Sequence, residues 1–190
     1  HRPMEFTKKL QEQYKLSTES IALLQEHMQL LSFEKKEVII QEGQRDDYTY
    51  FVESGSVRAY VIREDKQVTL FFAFEGDSAT TILGPSNTLT SKLTIETLEP
   101  TTLVRISRTR LEELFQRSLE IANWGRKLME KTLLEYEHYF IEYYWMEKST
   151  QYQALMKEHP QLLQRVSLKE IASYLNITPQ TLSRIRAHIK

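Results

Sequence analysis

The sequence predicts an α+β protein: N-terminal helices and a jelly-roll-like β-barrel, then a long helix, then a C-terminal helix-turn-helix. Three observations predict it. Between Phe33 and Ile106, short β-rich runs are separated by turn signals roughly every 8–12 residues, as in a sandwich or barrel. Leu119–Glu147 then holds no proline and a single glycine, Gly125, which is the texture of one long helix. The last stretch, from Ser167, reads as two short helices around a tight turn.

Composition narrows the class. A chain of 190 residues allows one domain or two small ones. A hydrophobic share of 41% supplies a core and excludes a disordered tail protein. There are no cysteines, which excludes disulfide scaffolds, Cys-ligated zinc, iron–sulfur clusters and Cys nucleophiles. No apolar run approaches the ~18–20 residues of a membrane span, and no basic segment precedes an apolar stretch as in a secretory signal. His1-Arg2-Pro3 precede Met4, as in a processed or trimmed chain. The expectation is a soluble cytoplasmic protein with no membrane partner.

Each element has its own signal. Residues 4–32 read as helical, with Leu10, Tyr14, Ile21, Leu24, Met28 and Leu31 at helix-like spacing and a break at Ser17-Thr18. Strands are expected at Glu37–Ile40, Thr49–Glu53, Ser56–Arg63, Val68–Ala73, Leu93–Leu98 and Thr102–Ser107, with Glu64-Asp65-Lys66 as a hairpin tip. Arg110–Arg117 is a short helix. Within Leu119–Glu147, residues Met129, Leu133, Tyr136, Phe140 and Tyr143 step alternately by four and three, the seam by which two long helices pair. Packing on the chain's own domain is the alternative. Trp124, Leu128, Ile141 and Trp145 lie off the seam, so the helix is expected to meet the barrel on one face and a partner on the other. Residues 149–166 form a further helical stretch ending near Pro160.

The C-terminal pair carries the most specific pattern. Ser167 and Glu170 make a capping box. Leu168, Ile171, Ala172 and Leu175 form the buried face of the helix that follows, and Asn176 suits its left-handed end. Thr178 caps a second helix with Pro179 at its first position. Leu182, Ile185 and Ile189 face inward; Gln180, Ser183 and Arg184 face outward. An exposed Arg makes two hydrogen bonds to guanine, and a Gln does the same at adenine. Thr178, Thr181 and Arg186 suit phosphates. Charge agrees: residues 151–190 carry Lys157, Arg165, Lys169, Arg184, Arg186 and Lys190 against Glu158 and Glu170, a net +4 in a chain of net −1. That leaves −5 on residues 1–150. A helical hairpin with Arg on its solvent face is the alternative.

This order of elements resembles the Crp–Fnr superfamily of bacterial transcription regulators along nearly the whole chain. Tyr50-Phe51-Val52-Glu53-Ser54-Gly55-Ser56-Val57-Arg58, with Gly43 before it and Phe74-Glu75-Gly76-Asp77 after it, resembles the glycine-marked barrel of a cyclic-nucleotide-binding-like domain. Ser167 to Ile185 is similar to the family's reading head. The resemblance implies base contacts for Gln180, Ser183 and Arg184 and phosphate contacts for Thr178 and Thr181, with Pro179 replacing a side chain that often reads a base. It implies a homodimer on a pseudo-palindromic duplex and RNA polymerase as a further partner. Nucleotide-binding members carry a Gly-Glu pair after the Gly-Asp turn, and Arg-Ser beyond it. Here the matching stretches read Ser78-Ala79-Thr80-Thr81 and Thr90-Ser91-Lys92, so cyclic AMP binding is not expected. Lys92 offers a point charge without the bidentate fork of an arginine. Thr80, Thr81, Thr90, Ser91 and Lys92 line either a pocket for another small effector or a loop closing an empty barrel. Little chain follows Ile185, so the expectation is either a rudimentary wing or a chain trimmed at Lys190.

The expected division is a sensor domain over 1–117, a dimerisation helix over 118–147 and a DNA-binding domain over 148–190. No enzyme is expected. The five histidines show no metal-ligand spacing, and no phosphate-binding loop or nucleophile elbow is present. Asp46-Asp47 and Glu112-Glu113 read as solvated turn and helix faces, and nothing calls for a cofactor or metal. The rival class is a small-molecule sensor acting through a protein partner. A partner-binding helix would show apolar anchors on the outer face of 179–190, where this chain has Gln, Ser and Arg.

Overall fold

A computed structural model describes residues 4–80 and 90–189. Helices α1 (Glu5–Tyr14) and α2 (Thr18–Gln25) precede seven strands: β1 (Met28–Phe33), β2 (Val38–Ile40), β3 (Tyr48–Ser54), β4 (Val57–Arg63), β5 (Lys66–Ala73), β6 (Thr94–Thr97) and β7 (Thr101–Ser107). Then come α3 (Arg108–Arg117), α4 (Leu119–His138), a π turn (Tyr139–Tyr143), α5 (Lys148–Glu158), α6 (Gln161–Arg165), α7 (Leu168–Tyr174) and α8 (Pro179–His188). The strands form two sheets, ordered β1-β7-β3 and β2-β6-β4-β5. Two compact units result. One comprises His1–Ala59 with Phe72–Lys131; the other comprises Tyr60–Phe71 with Thr132–Lys190. No described helix is long and apolar enough to cross a membrane.

The first unit is built on an aromatic column. Phe6 stacks on Phe51 at 4.5 Å between ring centroids, and Phe51 meets Trp124 at 5.8 Å. Leu10, Leu24, Ile106, Leu111, Leu114 and Ile121 pack around them. Helix ends are tied down by distant carboxylates. Glu53 accepts from the backbone N–H groups of Glu5 and Phe6 at the start of α1. Glu120 accepts from the Ser17 amide and the Ser17 and Ser20 hydroxyls at the start of α2. These hydrogen bonds favour the carboxylate and hold the Glu120 pKa below its ordinary value.

Two expectations need correction. Residues 26–32 are not helical. Helix α2 ends at Gln25, and Met28–Phe33 pairs antiparallel with β7 from Met28↔Ile106 to Phe33↔Thr101. The strand state of this segment is set by a partner far along the chain. Nor is Leu119–Glu147 one α-helix. At Tyr139 it widens into a π turn, closed by Tyr144 N–H donating to the Tyr139 carbonyl at 3.0 Å. The extra residue sets each later side chain back by about 100° from the place an unbroken α-helical period would give it. Tyr143, expected on the pairing seam, is consequently buried within the second unit, stacked on Tyr139 with ring centroids 6.3 Å apart. Gln151 donates to the Tyr143 carbonyl at 2.7 Å and fixes the bend into α5.

A candidate nucleic-acid interface

Helix α7, its turn and α8 lie in the second unit. Ser167 Oγ accepts from the Glu170 N–H and starts α7. The helix ends in a Schellman arrangement: Ile177 N–H donates to the Ala172 carbonyl, and Asn176 N–H to that of Ser173. Asn176 takes the left-handed conformation this requires, with φ of 55°. Thr178 Oγ1 then accepts from the Thr181 N–H at 3.1 Å, and Pro179 occupies the first helical position of α8.

Burial fixes the face that α8 presents. Leu182 is fully buried, as are Ile171 and Ala172 on α7, while Leu155, Leu162 and Val166 are also buried in this unit. Leu168, expected on the buried face of α7, is instead 39% exposed, because the first helical position lies at the rim of the pair. Ile185 and Ile189 are half-buried. Gln180, Ser183 and Arg184 are exposed and share one face, since residues three and four apart on a helix are neighbours. Thr178 and Arg186 are exposed, and Thr181 is half-buried. The Thr178 and Thr181 hydroxyls lie 2.9 Å apart, so both stand at the N-terminal turn. Among the described residues neither Arg184 nor Arg186 forms an ion pair, which leaves both guanidinium groups available to an anion.

The first half of the seam is open. Leu133, Tyr136 and Phe140 are 59%, 51% and 56% exposed, and Met129 is half-buried. Off the seam, Trp124 is buried and Leu128 packs on the first unit's core. Ile141 and Trp145, expected against the barrel, are exposed.

The candidate effector residues do not form an open set. Thr80 is buried, and its hydroxyl accepts from the Tyr50 N–H at 3.1 Å. Ser91 is buried, and its hydroxyl donates to the Leu93 carbonyl at 2.7 Å. Thr90 bridges to Arg45 at the surface, and Lys92 is exposed. Thr81 lies outside the described residues.

Two features had no sequence signal. Ser173, on α7, donates to the Gln67 carbonyl at 2.9 Å and accepts from the Thr69 N–H at 3.1 Å. The first helix of the pair is thereby bonded to β5. Tyr174 beside it is half-buried, and desolvation together with nearby Tyr139 and Glu158 pushes its pKa up to about 12.

Residues 30–118 match the cyclic nucleotide-binding domain family. FixK2 from Bradyrhizobium japonicum superposes with a TM-score of 0.71 at 20% identity, covering 84% of this chain and 83% of its own. A Crp/Fnr-family transcriptional regulator from Eubacterium rectale gives 0.70 at 19%, covering 92% and 83%. The c-di-GMP-responsive global regulator CLP from Xanthomonas campestris gives 0.64 at 18%, covering 90% of each chain. No curated protein sequence matches. At these identities the likeness establishes the fold.

Proposed function

Because a cyclic nucleotide-binding domain spans residues 30–118 within a Crp/Fnr-type fold, we propose that the protein is a homodimeric, sequence-specific DNA-binding regulator of transcription. The observation that carries this reading is α8: a capped helix whose exposed face holds Gln180, Ser183 and an unpaired Arg184. Helix α8 enters the major groove by its N-terminus. Arg184 reads a guanine and Gln180 an adjacent base, while Thr178, Thr181 and Arg186 hold phosphates. Identical copies pair through Met129, Leu133, Tyr136 and Phe140, because a shared exposed seam favours a two-fold contact. The dimer binds a pseudo-palindrome with half-sites ~10 bp apart.

The sensor is degenerate. With Thr81 and Ser91 where a carboxylate and an arginine are needed, a cyclic phosphate would be buried without its partner. The protein acts in the cytoplasm by binding rather than catalysis, with RNA polymerase as its downstream partner. In domain terms, 1–117 senses, 118–147 pairs and 148–190 reads. Selection of bound sequences from random duplex DNA tests the reading. A recovered two-fold motif is expected; recovery of no motif at physiological salt would overturn it.

A further inference from the structure

Beside the reading face, between α5 and α8, the second unit holds a groove of about 370 Å³ lined by Ser149, Gln153, Arg184, Ile185, His188 and Ile189. Its polar groups are uncommitted. Among the described residues, the Ser149 hydroxyl, the Gln153 amide and the Arg184 guanidinium have no hydrogen-bond partner. His188 Nδ1 lies 2.7 Å from the Arg184 carbonyl oxygen. A carbonyl only accepts, so Nδ1 carries the hydrogen and Nε2 is the nitrogen left to face a ligand.

The lining decides the ligand's chemistry. Arg184 is a permanent cation offering five N–H donors and no acceptor, and no carboxylate lines the groove to neutralise it. Ile185 and Ile189 supply an apolar wall. The lining runs along α8 from Arg184 past Ile185 to Ile189, so a ligand that engages all of it needs an apolar body as well as an anionic head. We propose that this groove binds a small organic anion: a phosphate or carboxylate head held by Arg184, on a short apolar body lying against Ile185 and Ile189.

The site itself stands apart from the DNA-binding reading; only its consequence rests on that reading. A guanidinium engaged by the anion is withdrawn from the guanine edge. Anion and specific duplex therefore weaken each other's binding by the same factor.

The test uses n-butyl phosphate and n-valerate as probes, with inorganic phosphate and 1-butanol as fragments, on the full chain without DNA. Side-chain NMR signals of Gln153 and His188 are followed through each titration. At least one probe is expected to give saturable shifts about tenfold tighter than either of its fragments. Ser149→Trp, which fills the groove, should abolish the shift at His188. Gln153→Glu, which adds a like charge without bulk, should weaken binding about tenfold. No saturable shift with either probe, or unchanged affinity in both variants, would overturn the site. Duplex binding is then measured with and without probe. Probe binding by a chain that selects no DNA refutes the DNA-binding reading and leaves the groove standing. DNA binding by a chain deaf to both probes does the reverse.

Discussion

Gly43 and Gly55 have nearly the same backbone conformation, with φ of +90° and +95°, yet substitution to alanine should cost very different amounts. A side chain at such a φ strains the backbone by roughly 1–2 kcal/mol wherever it occurs. At Gly43 that is the whole cost, because a Cβ there meets nothing within 4 Å. At Gly55 the Cβ would collide with Thr101 Oγ1 and stand 2.7 Å from the Pro100 carbonyl oxygen and 2.8 Å from Thr101 Cα. None of these is the end of a flexible chain. Thr101 Oγ1 accepts from the Ser56 N–H and donates to the Glu99 carbonyl. Relieving the contact means displacing the β6–β7 turn, at about 1–3 kcal/mol for overpacking and ~1 kcal/mol for a lost hydrogen bond. Gly55→Ala should therefore lose about 3–6 kcal/mol and Gly43→Ala about 1–2. Urea unfolding at matched m-values measures both, and the unfolded-state entropy change cancels between them. Losses within ~1 kcal/mol of each other would refute the argument that space, rather than φ, separates the two sites.

Arg184→Ala should weaken operator binding by ~1–3 kcal/mol per half-site and leave a scrambled duplex almost unaffected. Arg186→Ala should weaken both duplexes alike and flatten the salt dependence; equal losses on both duplexes for Arg184→Ala would reassign it to a phosphate. Charged residues at Leu133 and Phe140 should give monomers in sedimentation velocity, and a variant that stays dimeric removes the seam from the interface. Calorimetric titration with cyclic AMP should show no binding at micromolar concentrations; micromolar affinity would point to Lys92 as the phosphate anchor. Glu120, its pKa lowered by the Ser20 and Ser17 hydrogen bonds, stabilises the fold above its unfolded pKa, and that gain is lost as pH falls through the lowered value. Glu120→Gln should thus destabilise the fold at neutral pH. The gap to the parent should close on acidification, and a gap independent of pH would contradict the assignment.

What was legible in the sequence was local. Ser167, Asn176, Thr178 and Pro179 act on backbone groups within a few residues, so the α7–α8 pair follows from short-range chemistry alone. The hairpin tip is similar, with Glu64 and Asp65 both at positive φ between β4 and β5. Met28–Phe33 was not legible, because its apolar residues fit a helix and a strand equally and β7 decides between them. The π turn carries no proline or glycine to mark it. The hydroxyls of Thr80 and Ser91 suit a ligand by type, but they are bonded to the chain's own backbone, which residue identity does not disclose.

The π turn also absorbs a residue. Tyr144 N–H and the Tyr139 carbonyl close one turn across five residues instead of four, so the chain beyond it leaves as it would from an α-helix one residue shorter. Deleting one residue within Tyr139–Tyr143 would restore the ordinary four-residue bond and leave the direction of the following chain unchanged, whereas the same deletion one turn earlier would swing that chain through about 100°. The widened turn is thus a slack point, where chain length changes without a change of aim. A single-codon deletion here would cost the stacking of Tyr143 on Tyr139 without re-aiming α5 or altering any residue on α8.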